Sequence, residues 1–299
     1  MSGPLEGLLL VDKPEGPTSH DVVARIRKLL GTTRVGHTGT LDPHATGLLI
    51  ILVGGATRLA RFVPREPKSY TGTVRLGIRT SSDDLQGEPT FQFTGPPPNS
   101  DSVRAAARQL TGRRLQAPPA VSARKIGGVR MYRLSRLGRP VVGTPTEVQV
   151  DRFDVQPTSD PFEWSFIAEV SAGTYVRSMA RDWGEALGCG GAIATLRRTA
   201  IGPFGIDAAT SLQPDEGLAN ALNEALIPLH QIPFFLPVTR LEDESARRFL
   251  FGGSVAVPGP LPPEGDCMVF GPTGRLLGVG AASFGRLRPS VVLPGRSEA

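Results

Sequence analysis

Residues 36–47 read "GHTGTLDPHATG", and this stretch surrounds a single carboxylate, Asp42, with glycines and threonines. Pro43 follows the acid directly, and His37 and His44 flank it. Glycines let a backbone pass close to a ligand, and a proline restricts the chain next to the acid. The pattern is typical of a catalytic loop built around Asp42.

Two other interpretations of this stretch compete with a catalytic loop. A phosphate-binding loop would need a G-K-[S/T] ending or a G-x-G-x-x-G pattern, and neither occurs here. An ordinary turn would use Asp42 as the N-cap of a helix that begins at Pro43. That explains the Asp-Pro pair but not the histidine and glycines before it. An acid at such a helix N-terminus would also stay charged and nucleophilic.

The overall composition excludes several classes of protein. The chain has 299 residues, 39% of them hydrophobic, and is long enough for one large domain and a small one. Its longest aliphatic run, "LLIILV" at 48–53, is far shorter than the roughly 20 residues of a membrane-spanning helix. The N-terminus does not resemble a secretory signal. Two distant cysteines, Cys189 and Cys267, indicate neither a zinc motif nor a disulfide framework, so we expect a reduced, cytoplasmic protein.

Positive charge is concentrated in one part of the chain. The net charge is +5, yet the segment 102–139 holds ten Lys or Arg residues and no acid, so the rest sums to −5. Most charge runs are solvated helical faces. This one covers two helix-like pieces and a loop without acidic residues between the basic ones, which favours binding of RNA, DNA or phosphate.

Hydrophobic periodicity outlines an α+β fold. We expect a first strand, a turn and a helix with Ser19 as its N-cap, followed by a buried strand at 48–53. The other predicted elements, in chain order, are a short helix at 56–63, a strand at 69–77, a loop at 80–100, a helix at 102–112, a strand at 161–170 and a helix capped by Thr174. Strands and helices do not alternate regularly, which favours α+β over α/β.

The pattern of apolar residues, glycines and prolines changes after residue 235. One short helix is followed by short apolar strands that glycines and prolines separate. This pattern predicts a small β-rich module, shaped as a compact barrel. We therefore divide the chain into domains at 1–236 and 237–299.

Several motifs together resemble one family, the TruB-type pseudouridine synthases, which isomerise uridine 55 in the T loop of tRNA. The most specific is "GHTGTLDPHATGLLIILVGGATR" at 36–58. The others, spread over nearly the whole chain, are "LLLVDKPEGPTSHDVV", "KSYTGTVRLG", "PPAVSARKIGGVRMYRLSRLG", "SAGTYVRSMARDWGEALGCGG" and "LRRTAIGPF". The resemblance implies a pseudouridine synthase catalytic domain, with a central mixed, largely antiparallel sheet flanked by helices, and a small β-barrel-like PUA module at the C-terminus.

The resemblance also implies roles for individual residues. Asp42 matches the nucleophile, which attacks C6 of uracil or C1′ of ribose. Tyr70 matches the tyrosine that stacks on the base and takes part in proton transfer, and Arg177 matches the arginine that pairs with the aspartate. The substrate-binding residues it implies are Lys13, His37, Thr38, Gly39, Tyr175, Lys125, Arg124, Arg113 and Arg114. It implies that the protein uses no metal and no organic cofactor. It also implies that the partner is tRNA, bound through its T arm, and that the protein is a monomer without an obligate protein partner.

The residues alone leave other interpretations open. Without the motif, Arg177 would be a surface residue paired with Asp182 or Glu185, and Tyr70 an ordinary strand aromatic. His37 would equally well be a hydrogen-bonding residue of a turn. Flipping a base out of a folded loop does require an aromatic platform and a pocket, and a carboxylate nucleophile does require a cation that aims it.

Two positions depart from the family pattern. His44 stands where the family usually has an apolar residue, and we expect it to point to solvent. Arg124 also replaces an apolar residue.

Two other functions stay open. The alternatives are a dyskerin-like, RNA-guided pseudouridine synthase subunit and a non-catalytic protein that binds or folds RNA. The presence of Asp42 and Tyr70 disfavours the second, and the small C-terminal module disfavours the first.

Overall fold

The computed structural model describes residues 5–122, 124–126, 129–131, 143–213, 216–257 and 264–293. Within them, the helices are α1 (Ser19–Leu29), α2 (Ser100–Arg108), α3 (Val176–Ala186), α4 (Leu218–Glu224) and α5 (Asp243–Leu250). Short 3₁₀ turns lie at Gly54–Leu59, Ile206–Ala208 and Leu229–Gln231. No helix of the described residues is long and apolar enough to cross a bilayer.

The strands fall into a large N-terminal set and a small C-terminal set. The first set is β1 (Gly7–Lys13), β2 (Val35–Thr38), β3 (Thr46–Val53), β4 (Lys68–Leu76), β5 (Ile78–Thr80), β6 (Pro89–Gln92), β7 (Gly112–Gln116), β8 (Lys125–Ile126), β9 (Val129–Arg130), β10 (Thr146–Pro157), β11 (Glu163–Val170), β12 (Gly191–Ile201), β13 (Phe204–Gly205), β14 (Thr210–Ser211) and β15 (Ile227–Pro228). The second is β16 (Val238–Arg240), β17 (Val255–Ala256), β18 (Gly265–Phe270), β19 (Leu276–Ser283) and β20 (Arg286–Val292).

An 11-stranded sheet forms the centre of the molecule, in the order β14-β1-β3-β12-β4-β11-β10-β7 with β2, β13 and β15 attached at its sides. Only the β1–β14 and β3–β12 pairs in this sheet are parallel. The predicted mixed, largely antiparallel sheet of an α+β fold is therefore confirmed. Antiparallel neighbours β12, β4 and β11 bring residues far apart in sequence side by side, such as Arg198 beside Tyr70.

Strand β3 is buried on both faces. Its alternate residues Leu49 and Ile51 join the core that packs under α1 and α3, while Leu48 and Ile50 join a second core on the opposite face. A strand covered on both sides has a continuous apolar sequence, which explains "LLIILV". The sheet is thus held rigidly next to the loop that contains Asp42.

The C-terminal strands form a separate five-stranded, curled sheet in the order β16-β18-β19-β20-β17. This sheet matches the predicted PUA-like module in character. It packs directly on the large sheet, because Met268 and Val279 share a core with Leu8 and Leu10 of β1. The position of the domain boundary at 236 stays a prediction.

Two helix starts differ from the sequence-based expectation by one residue. Thr18, not Ser19, caps α1, through a capping box in which its hydroxyl accepts from the Asp21 amide and the Asp21 side chain accepts from the Thr18 amide. Helix α3 follows Tyr175 and has no side-chain cap. Thr174 instead places its hydroxyl 3.3 Å from that of Ser171, so its hydroxyl stabilises the preceding turn.

Two other local predictions were also incomplete. The segment 80–100 contains strand β6, which pairs with β5, rather than being loop throughout. Residues 112–116 of the basic segment form the edge strand β7, paired with β10, where the sequence predicted no strand. The part of that segment at 132–139 lies outside the described residues.

Candidate active site

The Asp42 loop connects β2 to β3 across the top of the sheet. Gly39 takes a positive φ of +71° there, a conformation that suits glycine. Pro43 and His44 form a turn, and strand β3 begins at Thr46. No helix follows Asp42, so its interpretation as a helix N-cap, and the stabilisation of its charge by a helix dipole, were wrong.

Two buried side chains hold this loop from behind. Lys13, at the end of β1, is 0% exposed, and its Nζ donates to the carbonyls of Pro14 (2.8 Å) and Pro43 (3.1 Å). The Ser19 hydroxyl donates to the carbonyl of Leu41 and accepts from its amide. Both residues fix the backbone on either side of Asp42. The geometry of Lys13 therefore supports positioning of the loop rather than direct contact with a substrate.

Arg198 of β12 is a third buried anchor, one that the sequence did not single out. Its side chain is fully buried. It donates from Nε to the carbonyl of Leu48 (2.8 Å) and from Nη2 to that of Gly39 (2.8 Å). A guanidinium presents several donors in a rigid plane, so one residue ties both strands of the loop to the sheet.

Asp42 and Arg177 form an ion pair, as the resemblance implied. Arg177 Nε lies 2.9 Å from Asp42 Oδ2, and the two side chains are 4% and 38% exposed. The remaining guanidinium nitrogens donate to the carbonyls of Ser82 (2.6 Å) and Val121 (2.8 Å). Arg177 is therefore fixed from several directions, and it can aim the more exposed carboxylate into solvent.

The alternative view of Arg177 as a surface residue was wrong. Asp182, one of its expected partners, pairs instead with Arg114 (2.9 Å) and Arg181 (2.8 Å). The first turn of α3 turns Arg177 inward, toward the sheet. Sequence periodicity could not show this, since it only placed the residue outside the apolar face of the helix.

A second carboxylate, Asp84, also lies near Arg177. Its Oδ2 is 3.5 Å from Arg177 Nη1 and 3.6 Å from His44 Nδ1. The His44 side chain is 9% exposed, so the expectation that it points to solvent was wrong. Asp84 lies in a segment expected to be a loop, and no spacing in the sequence connects it to Asp42.

Asp42 opens into a cleft of about 240 Å³. Tyr70 of β4, which is 6% exposed, and Tyr175 line it together with Arg177. The other lining residues are Thr40, Leu41, Ala45, Lys68, Ser122, Gly173, Thr174, Val176 and Leu196. The three residues predicted to be catalytic thus meet in one cleft, which brings together a carboxylate, an aromatic ring and a guanidinium.

A second cleft of about 340 Å³ lies beside the first. His37, Thr38 and Gly39 line it, so the predicted substrate-binding residues of the loop also come together. The ring of His37 makes an edge-on contact with His20 at 5.2 Å. Burial, followed by the nearby charges of His20 and Arg198, lowers the pKa of His37, which favours the neutral form of its imidazole.

Three of the predicted basic contacts, Arg113, Arg114 and Arg124, are not among the residues that line the two clefts. Arg113 is exposed on β7, whereas Arg114, on the opposite face of the strand, pairs with Asp182. Arg124 Nη1 is 3.4 Å from the Thr146 hydroxyl. The backbone of Lys125 pairs with that of Arg130, and the Lys125 side chain lies outside the description. Among the described residues, no group of side chains could hold a metal ion.

Three family models match most of the chain. Residues 27–176 match the model of the TruB family pseudouridylate synthase N-terminal domain. Residues 177–231 match the tRNA pseudouridylate synthase B C-terminal domain, and residues 237–293 match the C-terminal model of pseudouridine synthase II TruB. These models together cover the C-terminal sheet and the strands of the large sheet other than β1.

Two relatives are similar over almost their full length. The tRNA pseudouridine synthase B of Thermobifida fusca (strain YX) is 41% identical over 97% of this chain and 99% of its own. That of Arthrobacter sp. (strain FB24) is 38% identical over 98% of both chains. Among solved structures, one described as "Crystal Structure of a Cbf5-Nop10-Gar1 Complex" has a TM-score of 0.71 and 25% identity, over 97% of this chain and 85% of its own. By these matches the chain belongs to the TruB family of pseudouridylate synthases.

Proposed function

We propose that this protein isomerises uridine 55 to pseudouridine in the T loop of tRNA. The observation that carries the proposal is the Asp42–Arg177 ion pair, 2.9 Å long, at the edge of a cleft that Tyr70 also lines. The relatives at 38% and 41% identity carry the name tRNA pseudouridine synthase B. Their match over nearly the full length favours a stand-alone tRNA enzyme over an RNA-guided subunit.

The reaction exchanges one bond to the ribose for another. The target uridine leaves its stack and enters the cleft, which needs an aromatic surface to receive the base. An oxygen of Asp42 attacks the nucleotide, at C6 of uracil or at C1′ of ribose. The N1–C1′ bond breaks, the uracil rotates while it is held, and C5 bonds to C1′. The bond between Asp42 and the nucleotide breaks when C5 displaces the carboxylate from C1′, or by later elimination from C6, so Asp42 is regenerated. C5 then loses its proton and N1 gains one, so the product is an isomer and no cofactor is consumed.

The surrounding side chains supply what this sequence of steps requires. Arg177 orients Asp42 through Nε while the carbonyls of Ser82 and Val121 hold its other nitrogens. Tyr70 offers a ring for stacking and a hydroxyl for proton transfer. Each nitrogen of this buried guanidinium has a partner, and a group held in this way is expected in a preorganised site.

The three residues proposed for catalysis, Asp42, Tyr70 and Arg177, line one cleft, and we propose that the enzyme acts as a monomer without an obligate protein partner. The exposed Arg113 on edge strand β7 supports contact with the phosphates of the T arm. Because the substrate is tRNA, we place the activity in the cytoplasm.

The test uses an unmodified tRNA transcript and the purified protein without guide RNA or other proteins. We expect pseudouridine at position 55 by chemical mapping, and none in a transcript that carries cytidine at that position. Asp42→Asn protein serves as the inactive control. Modification only when a guide RNA or an added protein is present would favour the RNA-guided alternative, and tRNA binding without any isomerisation would favour the non-catalytic one.

A further inference from the structure

Lys68 lies where the two clefts meet. It is the first residue of β4, and Tyr70 lies two positions later, so both residues belong to the same face of the strand. The residues that line both clefts are Thr40, Lys68 and Gly173, and Lys68 alone among these three carries a charge. A ligand that passes from one cleft to the other therefore passes an ammonium group.

Among the described residues, no carboxylate forms an ion pair with Lys68. Glu66, the nearest acid along the chain, accepts a hydrogen bond from the amide of Ala172 at 2.8 Å. Within the described ranges, no ion pair or hydrogen bond of the Lys68 ammonium is found. Its charged neighbours are Arg65, Arg198 and Glu66. Burial first, and then the two arginines, lower the pKa of Lys68 to about 8, although Glu66 acts in the opposite direction. The ammonium therefore lies among more positive than negative charge.

The neighbouring cations are not equivalent to Lys68. The Arg198 guanidinium donates to the carbonyls of Gly39 and Leu48, so it is occupied inside the protein. Arg65 lines the second cleft only, and its Nη2 donates to the carbonyl of Ala60 at 3.2 Å. Lys68 is thus the cation at this junction whose donors remain available to a ligand.

The backbone around the junction leaves room for a chain to pass. Gly39 has a φ of +71°, and a β-carbon there would lie 3.9 Å from Lys68 Cε. Gly173, on the other side, has a φ of +92° and no atom within 4 Å of a β-carbon. Two glycines beside one lysine allow a ligand backbone to come close to the ammonium group.

We propose that Lys68 binds the phosphate that joins the target nucleotide, in the cleft of Asp42, to the adjacent nucleotide, in the cleft of His37. Adjacent nucleotides share one phosphodiester, so a strand that places one base in each cleft has to place that phosphate at the junction. A compact ammonium is suited to a single phosphate. This inference rests on the proposed function. It adds a contact that would position the target nucleotide relative to the Asp42 cleft.

The experiment combines a protein change with a substrate change. The substrates are T-arm stem-loops in which one phosphate, either 5′ or 3′ of the target uridine, is replaced by a neutral methylphosphonate beside a 2′-deoxy sugar. Matched RNAs have the same deoxy sugar and an ordinary phosphate. The proteins are wild type, Lys68→Met, which keeps the apolar stem, and Lys28→Met, which removes an exposed lysine of α1.

For the wild type and for Lys28→Met, we expect one of the two neutral linkages to weaken RNA binding by roughly tenfold or more. The single-turnover rate at subsaturating protein should fall by a similar factor. This is the effect of losing a charge-assisted hydrogen bond. The Lys68→Met protein should be weaker on every RNA by a similar factor, and the same neutral linkage should cost it almost nothing. The proposal would be overturned if each neutral linkage weakened RNA binding equally for the wild type and for Lys68→Met. It would also be overturned if neither linkage weakened RNA binding by the wild type.

The substrate arm keeps the test decisive if Lys68→Met folds poorly, because the wild type alone must respond to one neutral linkage. The outcome is also separate from that of the proposed function. Pseudouridine formation by the wild type in the unmodified RNA tests the reaction, and the comparison of linkages tests Lys68. A protein that modifies uridine 55 but ignores both neutral linkages would contradict only the role of Lys68.

Discussion

The Asp42–Arg177 ion pair joins an accessible group to an inaccessible one: the carboxylate is 38% exposed and the guanidinium 4% exposed, at a distance of 2.9 Å. Arg177 also lies 3.5 Å from the buried Asp84. One buried cation therefore stands between two acids, one in the cleft and one behind it. This asymmetry lets the protein fix the position of Asp42 without covering it.

Replacement of Asp42 by Asn should abolish turnover and leave the fold intact. The amide keeps the size of the side chain but cannot act as the attacking carboxylate. No helix begins after Asp42, so the roughly 1 kcal/mol cost of losing an N-cap is not expected. Thermal unfolding, tRNA affinity and pseudouridine formation should be measured on one preparation. Pseudouridine made by a folded Asn variant would remove Asp42 from the mechanism.

Replacement of Arg177 by Lys should lower activity strongly while the charge is conserved. A single ammonium cannot reach Asp42 and also the carbonyls of Ser82 and Val121, all of which the guanidinium contacts. We expect single-turnover rates about 10²-fold lower, as for loss of a preorganised electrostatic contact, and destabilisation of about 1–3 kcal/mol from the buried acceptors left without donors.

Arg197→Lys is the matched control for Arg177→Lys. Arg197 also contacts a carboxylate, that of Asp12 at 2.7 Å, but its side chain is 41% exposed. Exposed pairs contribute little to stability, so this variant should behave as the wild type. If Arg177→Lys retained the full rate, the geometry of the guanidinium would be irrelevant to catalysis.

The Tyr70→Phe variant separates stacking from proton transfer. The ring is 6% exposed and belongs to the main core, so Phe should preserve the packing and the aromatic surface. Loss of a hydroxyl that transfers a proton should reduce the single-turnover rate by at least about 10², with RNA affinity unchanged. Normal turnover by the Phe variant would limit Tyr70 to a stacking role.

Arg113 and Arg114 should differ in their effects on RNA binding although they are neighbours. Arg113 is exposed, whereas Arg114 pairs with Asp182 at 2.9 Å. Each phosphate contact changes the slope of log K against log salt by about 0.7 to 0.9. Arg113→Ala should reduce the steepness by about that amount and Arg114→Ala by less, as measured by titrations from low to high salt. The reverse order would place the RNA on the opposite face of β7.

Lys13 should make stability depend on pH in the alkaline range. Burial lowers its pKa to about 8 in the folded protein, from an ordinary value of 10.5. Between these values the unfolded chain binds more protons than the folded one, so the Lys13 contribution to stability rises with pH. The free energy of unfolding of wild type minus that of Lys13→Met should therefore increase from pH 8 to pH 10.

Urea unfolding of both proteins at several pH values gives the difference in their free energies of unfolding. The contributions of other groups that titrate in the same range cancel in this difference. Lys28→Met, which changes an exposed lysine, should show a flat difference over the same range. A difference for Lys13→Met that falls or stays constant with pH would show that its ammonium is not the buried group that the structure describes.

Much of the architecture could be predicted from local sequence. Alternation in 161–170 predicted β11, and the aliphatic run at 48–53 predicted most of β3. Strand β10, whose residues 146–157 run along the edge of the core, was missed because charged residues interrupt its apolar ones. Helix starts were displaced by one residue, since Ser19 and Thr18 are both able to cap and only the backbone geometry decides between them.

The sequence by itself determined the family, the α+β class and the three residues proposed for catalysis, because the motifs that carry them are contiguous in the chain. Only the tertiary structure decided that Arg177 is buried, that Asp84 and His44 lie behind it, and that Arg198 and Lys68 border the Asp42 loop. The physical reason is that these contacts join distant segments through the register of β12, β4 and β3. The burial and the charge balance of a side chain depend on all the segments around it, and a local pattern contains only one of them.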